Sequence, residues 1–143
     1  MSGPSPHLSW AELACKDGTP YPEEWRASRA VVLAEAFEAV RAVIGQPIVV
    51  GSAYRTPEHN RRVGGAARSQ HCQGRALDLY PPKGMTADQL YATVRLLALK
   101  RTSPIYGLGR YPSFVHIDIR PSASGRVTVW TGARAWAELK VDA

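Results

Sequence analysis

Apolar residues recur at Trp25, Val32, Leu33, Ala36, Phe37, Val40, Val43 and Ile44, the 3.6-residue stripe of an amphipathic helix. Pro22 suits the first helical position, Glu23 and Glu24 suit the positive helix end, and Gly45 ends the run. This predicts the longest helix and the spine of the core. Before it, Ser9 and Glu12 have the spacing of a capping box for a short helix. After it, Pro47–Tyr54 reads as a buried, β-branched strand. Thr56-Pro57-Glu58 opens a short helix that Gly64-Gly65 closes. Residues 66–74 read as a polar loop, 75–80 as a short strand and 81–84 as a turn. Residues 86–101 predict a second amphipathic helix with Leu90, Val94, Leu97 and Ala98 inward. Strands at 106–111, 114–120 and 126–130 complete the chain, with a turn at 122–125. Helices early and a mostly antiparallel sheet late predict an α+β fold with one core. Residues 9–143 are expected to form one domain, behind a loose lead-in at 1–8.

Composition narrows the class. A chain of 143 residues is one domain's worth. With 45% hydrophobic and 21% charged residues it is neither disordered, collagen-like nor a coiled coil. No apolar run approaches the ~18 residues of a membrane span. The net charge of +6 favours polyanionic surfaces, although many such domains bind nothing acidic. The densest basic group is Arg55, Arg61, Arg62, Arg68 and Arg75. Two cysteines, Cys15 and Cys72, are too few for a disulfide framework, and their pairing stays open. Residues 1–8 lack a basic or apolar leader segment, so no signal peptide is expected. Synthesis in the cytoplasm follows, with delivery to any outer site left to other factors.

Two strands carry polar groups on one face. In the first, Leu77 and Leu79 oppose Asp78. In the second, Val115, Ile117 and Ile119 oppose Phe114, His116, Asp118 and Arg120. A wet sheet face would also show such charges. His71 precedes Asp78 by seven residues, across Gly74. If His71, Asp78 and His116 meet, two imidazoles and one carboxylate form a three-ligand set with one open position, the pattern of catalytic zinc. Each histidine alone also fits a surface or core role.

Ser69-x-His71-x-x-Gly74-x-Ala76-x-Asp78 resembles the SxHxxGxAxD motif of peptidase family M15, the zinc D-Ala-D-Ala carboxypeptidases and L-alanyl-D-glutamate endopeptidases. The segment from Gly51 to Ala66 resembles that family's SxYRTxxxNxxVGGAxxS block, and 107–120 its GxGxYxxFVHxDxR ending, typical of a short, often phage-encoded branch. The resemblance implies a hedgehog/DD-peptidase fold with a zinc cleft on an antiparallel sheet. It implies His71, Asp78 and His116 as ligands of one Zn2+ and Arg55 as the group that polarises the scissile carbonyl. Ser69, Arg120 and Tyr54 are expected to contact substrate.

The match has one departure. Several branches carry Glu or Asp three residues before the last histidine, as general base; here that residue is Ser113. Asp118 is the nearest replacement as base. It could instead orient a ligand or pair with Arg120, or itself ligate while His116 acts as base. Cys72 could add a fourth ligand. His59 reads as a helix-surface or packing residue. Tyr54, Tyr106 and Tyr111 fit either cleft or core, and Trp130 and Trp136 fit packing against the sheet.

The implied activity is hydrolysis of an amide in peptidoglycan stem peptides, by water activated at zinc. Stem peptides carry free carboxylates, which suit a cleft ringed by Arg55, Arg61, Arg62, Arg68, Arg75 and Arg120. The terminal D-Ala-D-Ala bond and the L-Ala to D-Glu bond are both open. A monomeric endolysin-type enzyme of phage or prophage origin, acting at the wall or periplasm once released, is the expected setting. The main alternative is a non-catalytic relative that keeps the metal and binds wall. A nucleic-acid binder is not expected, because no reader motif is present.

Overall fold

Ser9 caps the first helix, α1 (Trp10–Leu13): its hydroxyl accepts from the Glu12 amide while the Glu12 carboxylate accepts from Ser9. The computed structural model describes residues 2–133, so the expectation for Trp136 lies outside the described residues. The segment ahead of α1 is fastened rather than loose. Leu8 sits in the core, and Ser5 and His7 both bond Glu38 of the following long helix, at 2.7 to 2.9 Å.

That helix, α2 (Arg29–Ile44), starts later than the pattern predicts. Pro22 begins only a 3-10 turn, Glu23–Trp25. Trp25 leaves the helical stripe because its ring packs edge-on against Tyr21 and Tyr54, at 6.2 and 6.0 Å. Within α2 the buried face is Ala30, Leu33, Ala34, Ala36, Phe37 and Val40. Val32 and Val43 lie about three turns apart on the outer face and are exposed.

The remaining elements are β1 (Val49–Ser52), α3 (Pro57–Arg62), β2 (Ala76–Tyr80), α4 (Ala87–Lys100), β3 (Gly107–Arg110), β4 (Val115–Asp118) and β5 (Thr128–Thr131). The polar loop expected at 66–74 contains a 3-10 turn, Gln70–Gln73. The strands form one sheet in the order β1-β2-β4-β3-β5. All pairs are antiparallel except β3 with β5. An α+β architecture is therefore present. Leu77, Leu79, Val115, Ile117 and Leu108 turn one sheet face into the core, where Leu33, Phe37 and Val40 of α2 and Leu90 and Val94 of α4 cover it.

Edge strand β1 is only half-buried, with Val49 64% exposed. It also changes face midway. Val50 pairs with Leu79 but Ser52 pairs with Asp78, so two steps on β1 meet one on β2. This β-bulge moves Ser52 off the core face of Val50 and onto the face of Asp78.

Candidate metal centre

The uncovered sheet face holds a cross-strand row. Ser52 pairs with Asp78, Asp78 with His116, His116 with Gly109, and Gly109 with Trp130. Two residues along, Ala76, Asp118, Gly107 and Thr128 form the next row on the same face. Antiparallel pairing places the Asp78 and His116 side chains side by side. The two glycines make room. A Cβ on Gly107 would overlap the Asp118 carboxylate, and one on Gly109 would strike the Trp130 indole. The Gly107-Leu108-Gly109 spacing is thus a steric requirement of this face.

His71 arrives from outside the sheet, on the Gln70–Gln73 turn. The Ser69 hydroxyl caps that turn by accepting from the His71 amide at 3.1 Å. The His71 carbonyl accepts from the Arg55 amide, also at 3.1 Å. Tyr21 donates its hydroxyl to the Gly74 carbonyl at 2.6 Å, which anchors the turn's far end.

His71, Asp78 and His116 each bring one donor atom, all within 4.8 Å of one another, and all three residues are buried. Each imidazole has its other nitrogen engaged. His71 Nδ1 lies 2.6 Å from the Ala53 carbonyl, which can only accept, so the proton sits on Nδ1 and Nε2 presents a lone pair. That lone pair faces Asp78 Oδ1 at 3.2 Å. Burial lowers the His71 pKa, against the pull of Asp78, and favours the neutral ring. A neutral ring nitrogen and a carboxylate oxygen then face each other with no proton between them, a pairing that a cation resolves. On the other side, His116 Nε2 meets Asp118 Oδ2 at 2.8 Å and Nδ1 meets Asp78 Oδ1 at 3.1 Å. Burial opposes charge on His116, but the bonds to Asp118 and Asp78 outweigh it and raise its pKa to about 9. Burial would raise Asp78, yet the two histidines hold it well below the usual carboxylate range. The donor set and its outer partners fit a divalent metal of zinc type.

Asp118 is fully buried and committed on both oxygens. Oδ1 accepts from the Arg120 amide and Nε, at 3.1 and 2.8 Å, and Oδ2 accepts from Arg120 Nη2 at 2.7 Å and from His116. Despite burial, these bonds keep its pKa low. Arg55 is buried as well. Its Nε donates to Ser52 Oγ at 3.1 Å, Nη1 to Asn60 Oδ1 at 3.3 Å and Nη2 reaches Asp78 Oδ2 at 3.5 Å.

These residues open into a cleft of about 370 Å³. Of the residues expected at the site, Arg55, Ser69, His71, Asp78, His116 and Arg120 line it. Tyr54 does not; its ring belongs to the aromatic cluster with Tyr21 and Trp25. Arg68 lines the cleft, but Arg61, Arg62 and Arg75 do not. Arg62 pairs with Glu58 on the outside of α3. Cys72 is outside the donor set, and both cysteines are free.

Trp130, expected to pack on the sheet, stands as a cleft wall 5.1 Å from the His116 ring, with its Nε1 donating to the Tyr111 hydroxyl at 3.0 Å. Tyr111 stacks on Phe114 at 4.5 Å. The Ala53 carbonyl, Ser52 and Asn60 also escaped sequence reasoning about roles. A backbone acceptor leaves no mark in sequence, and Ser52 joins the site only through the bulge.

An α+β domain that brings two histidines and one carboxylate together beside an open sheet face has the donor set of a metal-binding scaffold. The family pattern described as Peptidase M15 matches residues 6–118, and the chain belongs to that peptidase family. No curated protein matches the chain. The family is one of metal-dependent peptidases, so a peptide substrate follows from membership. Among the described residues no helix is long and apolar enough to cross a membrane.

Proposed function

We propose that this protein is a zinc peptidase of the hedgehog/DD-peptidase fold that hydrolyses an amide bond in peptidoglycan stem peptides. The observation that carries the reading is the convergence of His71 Nε2, Asp78 and His116 Nδ1, each histidine held by an acceptor on its second nitrogen. When bound, the ion supplies Lewis acidity that polarises a carbonyl and activates water. The protein's own groups do the rest. Ala53 and Asp118 set the two imidazoles in their ligating orientation. Arg55, fixed by Ser52 and Asn60, holds the outer oxygen of Asp78 and brings positive charge to the substrate oxygen. Arg68 gives the cleft mouth the charge that stem-peptide carboxylates require, Arg120 lines it while paired with Asp118, and Trp130 and Tyr111 wall it against water. Asp118 acts through His116 as a positioning residue, because its oxygens are spent on Arg120 and His116 rather than aimed at the cleft. The setting that suits this activity is a monomeric endolysin-type enzyme acting at the wall after release.

One observation favours a second reading, a wall-binding relative without activity. Asp78 is the only carboxylate lining the cleft among the described residues. Mass spectrometry of purified peptidoglycan fragments after incubation with zinc-loaded protein separates the two. Cleavage that disappears in His71→Ala supports the peptidase. Intact stem peptides after saturation with zinc would establish the binding reading instead.

A further inference from the structure

A second group of donors lies outside the cleft set. Cys15, Asp17 and His59 each bring one donor atom, again all within 4.8 Å of one another. Cys15 and Asp17 lie two positions apart and His59 more than forty positions further on, so the fold brings the third donor to the other two. The loop after α1 closes on itself: the Cys15 amide donates to the Thr19 carbonyl at 2.8 Å and the Gly18 amide to the Cys15 carbonyl at 3.0 Å. Gly18 takes a φ of +97°, a conformation other residues resist, and this turn sets Cys15 and Asp17 side by side. His59 comes from α3. One hydroxyl fixes both partners, since Thr56 Oγ1 accepts from the His59 amide at 3.1 Å and donates to Asp17 Oδ2 at 3.0 Å. The Thr19 amide holds the other oxygen, Oδ1, at 2.9 Å. The carboxylate is thereby oriented by outer partners and keeps lone pairs for a further ligand.

We propose that Cys15, Asp17 and His59 form a second metal site of zinc type, which ties the N-terminal loop to α3. The donor chemistry selects the metal. Calcium and magnesium take oxygen ligands, whereas one sulfur, one imidazole and one carboxylate match zinc, with a fourth position for water. Exposed Asp17 gives the ion a way in, while Cys15 and His59 are only 3% and 6% exposed. A cysteine nucleophile acting with His59 is the rival use of the trio, and a thiol that buried does not reach a substrate. The site would brace α3, whose Asn60 holds Arg55 of the cleft.

Cobalt substitution of the intact protein tests this, independently of the cleft. The cleft donors contain no sulfur, so a thiolate-to-cobalt charge-transfer band reports the second site alone. The band is expected in wild type, in His71→Ala and in Cys72→Ser, and lost in Cys15→Ser. Asp17→Asn, an exposed change compatible with folding, should weaken cobalt binding at this site by at least ~10-fold, the lower end of what losing even an outer partner costs. His71→Ala should still hold zinc by metal analysis. Absence of the band in wild type, or its loss in Cys72→Ser with retention in Cys15→Ser, overturns the proposal. So does Asp17→Asn binding cobalt as wild type does.

Discussion

Asp118 has no exposure, and its negative charge is offset by Arg120 on one side and His116 on the other. Removing that charge separates positioning from proton transfer. Asp118→Asn is expected to lower metal affinity by ~10–100-fold, as loss of an outer partner does, with hydrolysis returning at saturating zinc. Titration calorimetry beside a zinc-dependence of kcat checks it; activity absent at full metal occupancy would make Asp118 the base. His116 gives a pH prediction. Its folded pKa of about 9 lies above the unfolded value of ~6.5, so in metal-free protein its contribution to stability is complete below ~6.5 and fades as pH rises through about 9. Because a ligating imidazole must be neutral, zinc uptake at pH 7 should release a proton, visible as a buffer-dependent binding enthalpy.

At the scale of elements, the site is a property of strand pairing. Gly107 lies directly opposite Asp118, and Gly109 opposite His116. Gly107→Ala is therefore expected to push the carboxylate off His116, costing about 1–3 kcal/mol, the usual range for overpacking, along with metal affinity. Denaturant melts with and without zinc check both effects. Gly109→Ala should displace the Trp130 wall instead and raise KM with metal affinity kept. The capping box of α1, the short α3, the amphipathic α4 and every strand of the sheet were legible in sequence, because caps and alternation are local. The start of α2 was not. Trp25 fits the helical stripe by spacing, and only its partners Tyr21 and Tyr54 pull it away.

For the whole molecule, the buried row of like and unlike charges makes metal and fold interdependent. Two histidines and two aspartates sit close together out of water, and a bound cation relieves them. A chelator should therefore lower Tm, and zinc at about 100 times its Kd should restore about 2.7 kcal/mol, readable by calorimetry. The net charge of +6 is distributed unevenly with respect to function, as only three arginines of the cluster expected around the site reach the cleft. By itself the sequence determined the α+β class of fold and the family, and singled out His71, Asp78 and His116 as groups that converge, since caps, periodicity and motif spacing are local and survive without knowledge of contacts. Tertiary structure alone decided which nitrogen of each histidine faces Asp78, that Asp118 bonds His116, that Tyr54 leaves the cleft and Trp130 enters it. Those outcomes depend on register, on the β1 bulge and on backbone acceptors such as the Ala53 carbonyl, which bring together groups that no spacing along the chain connects.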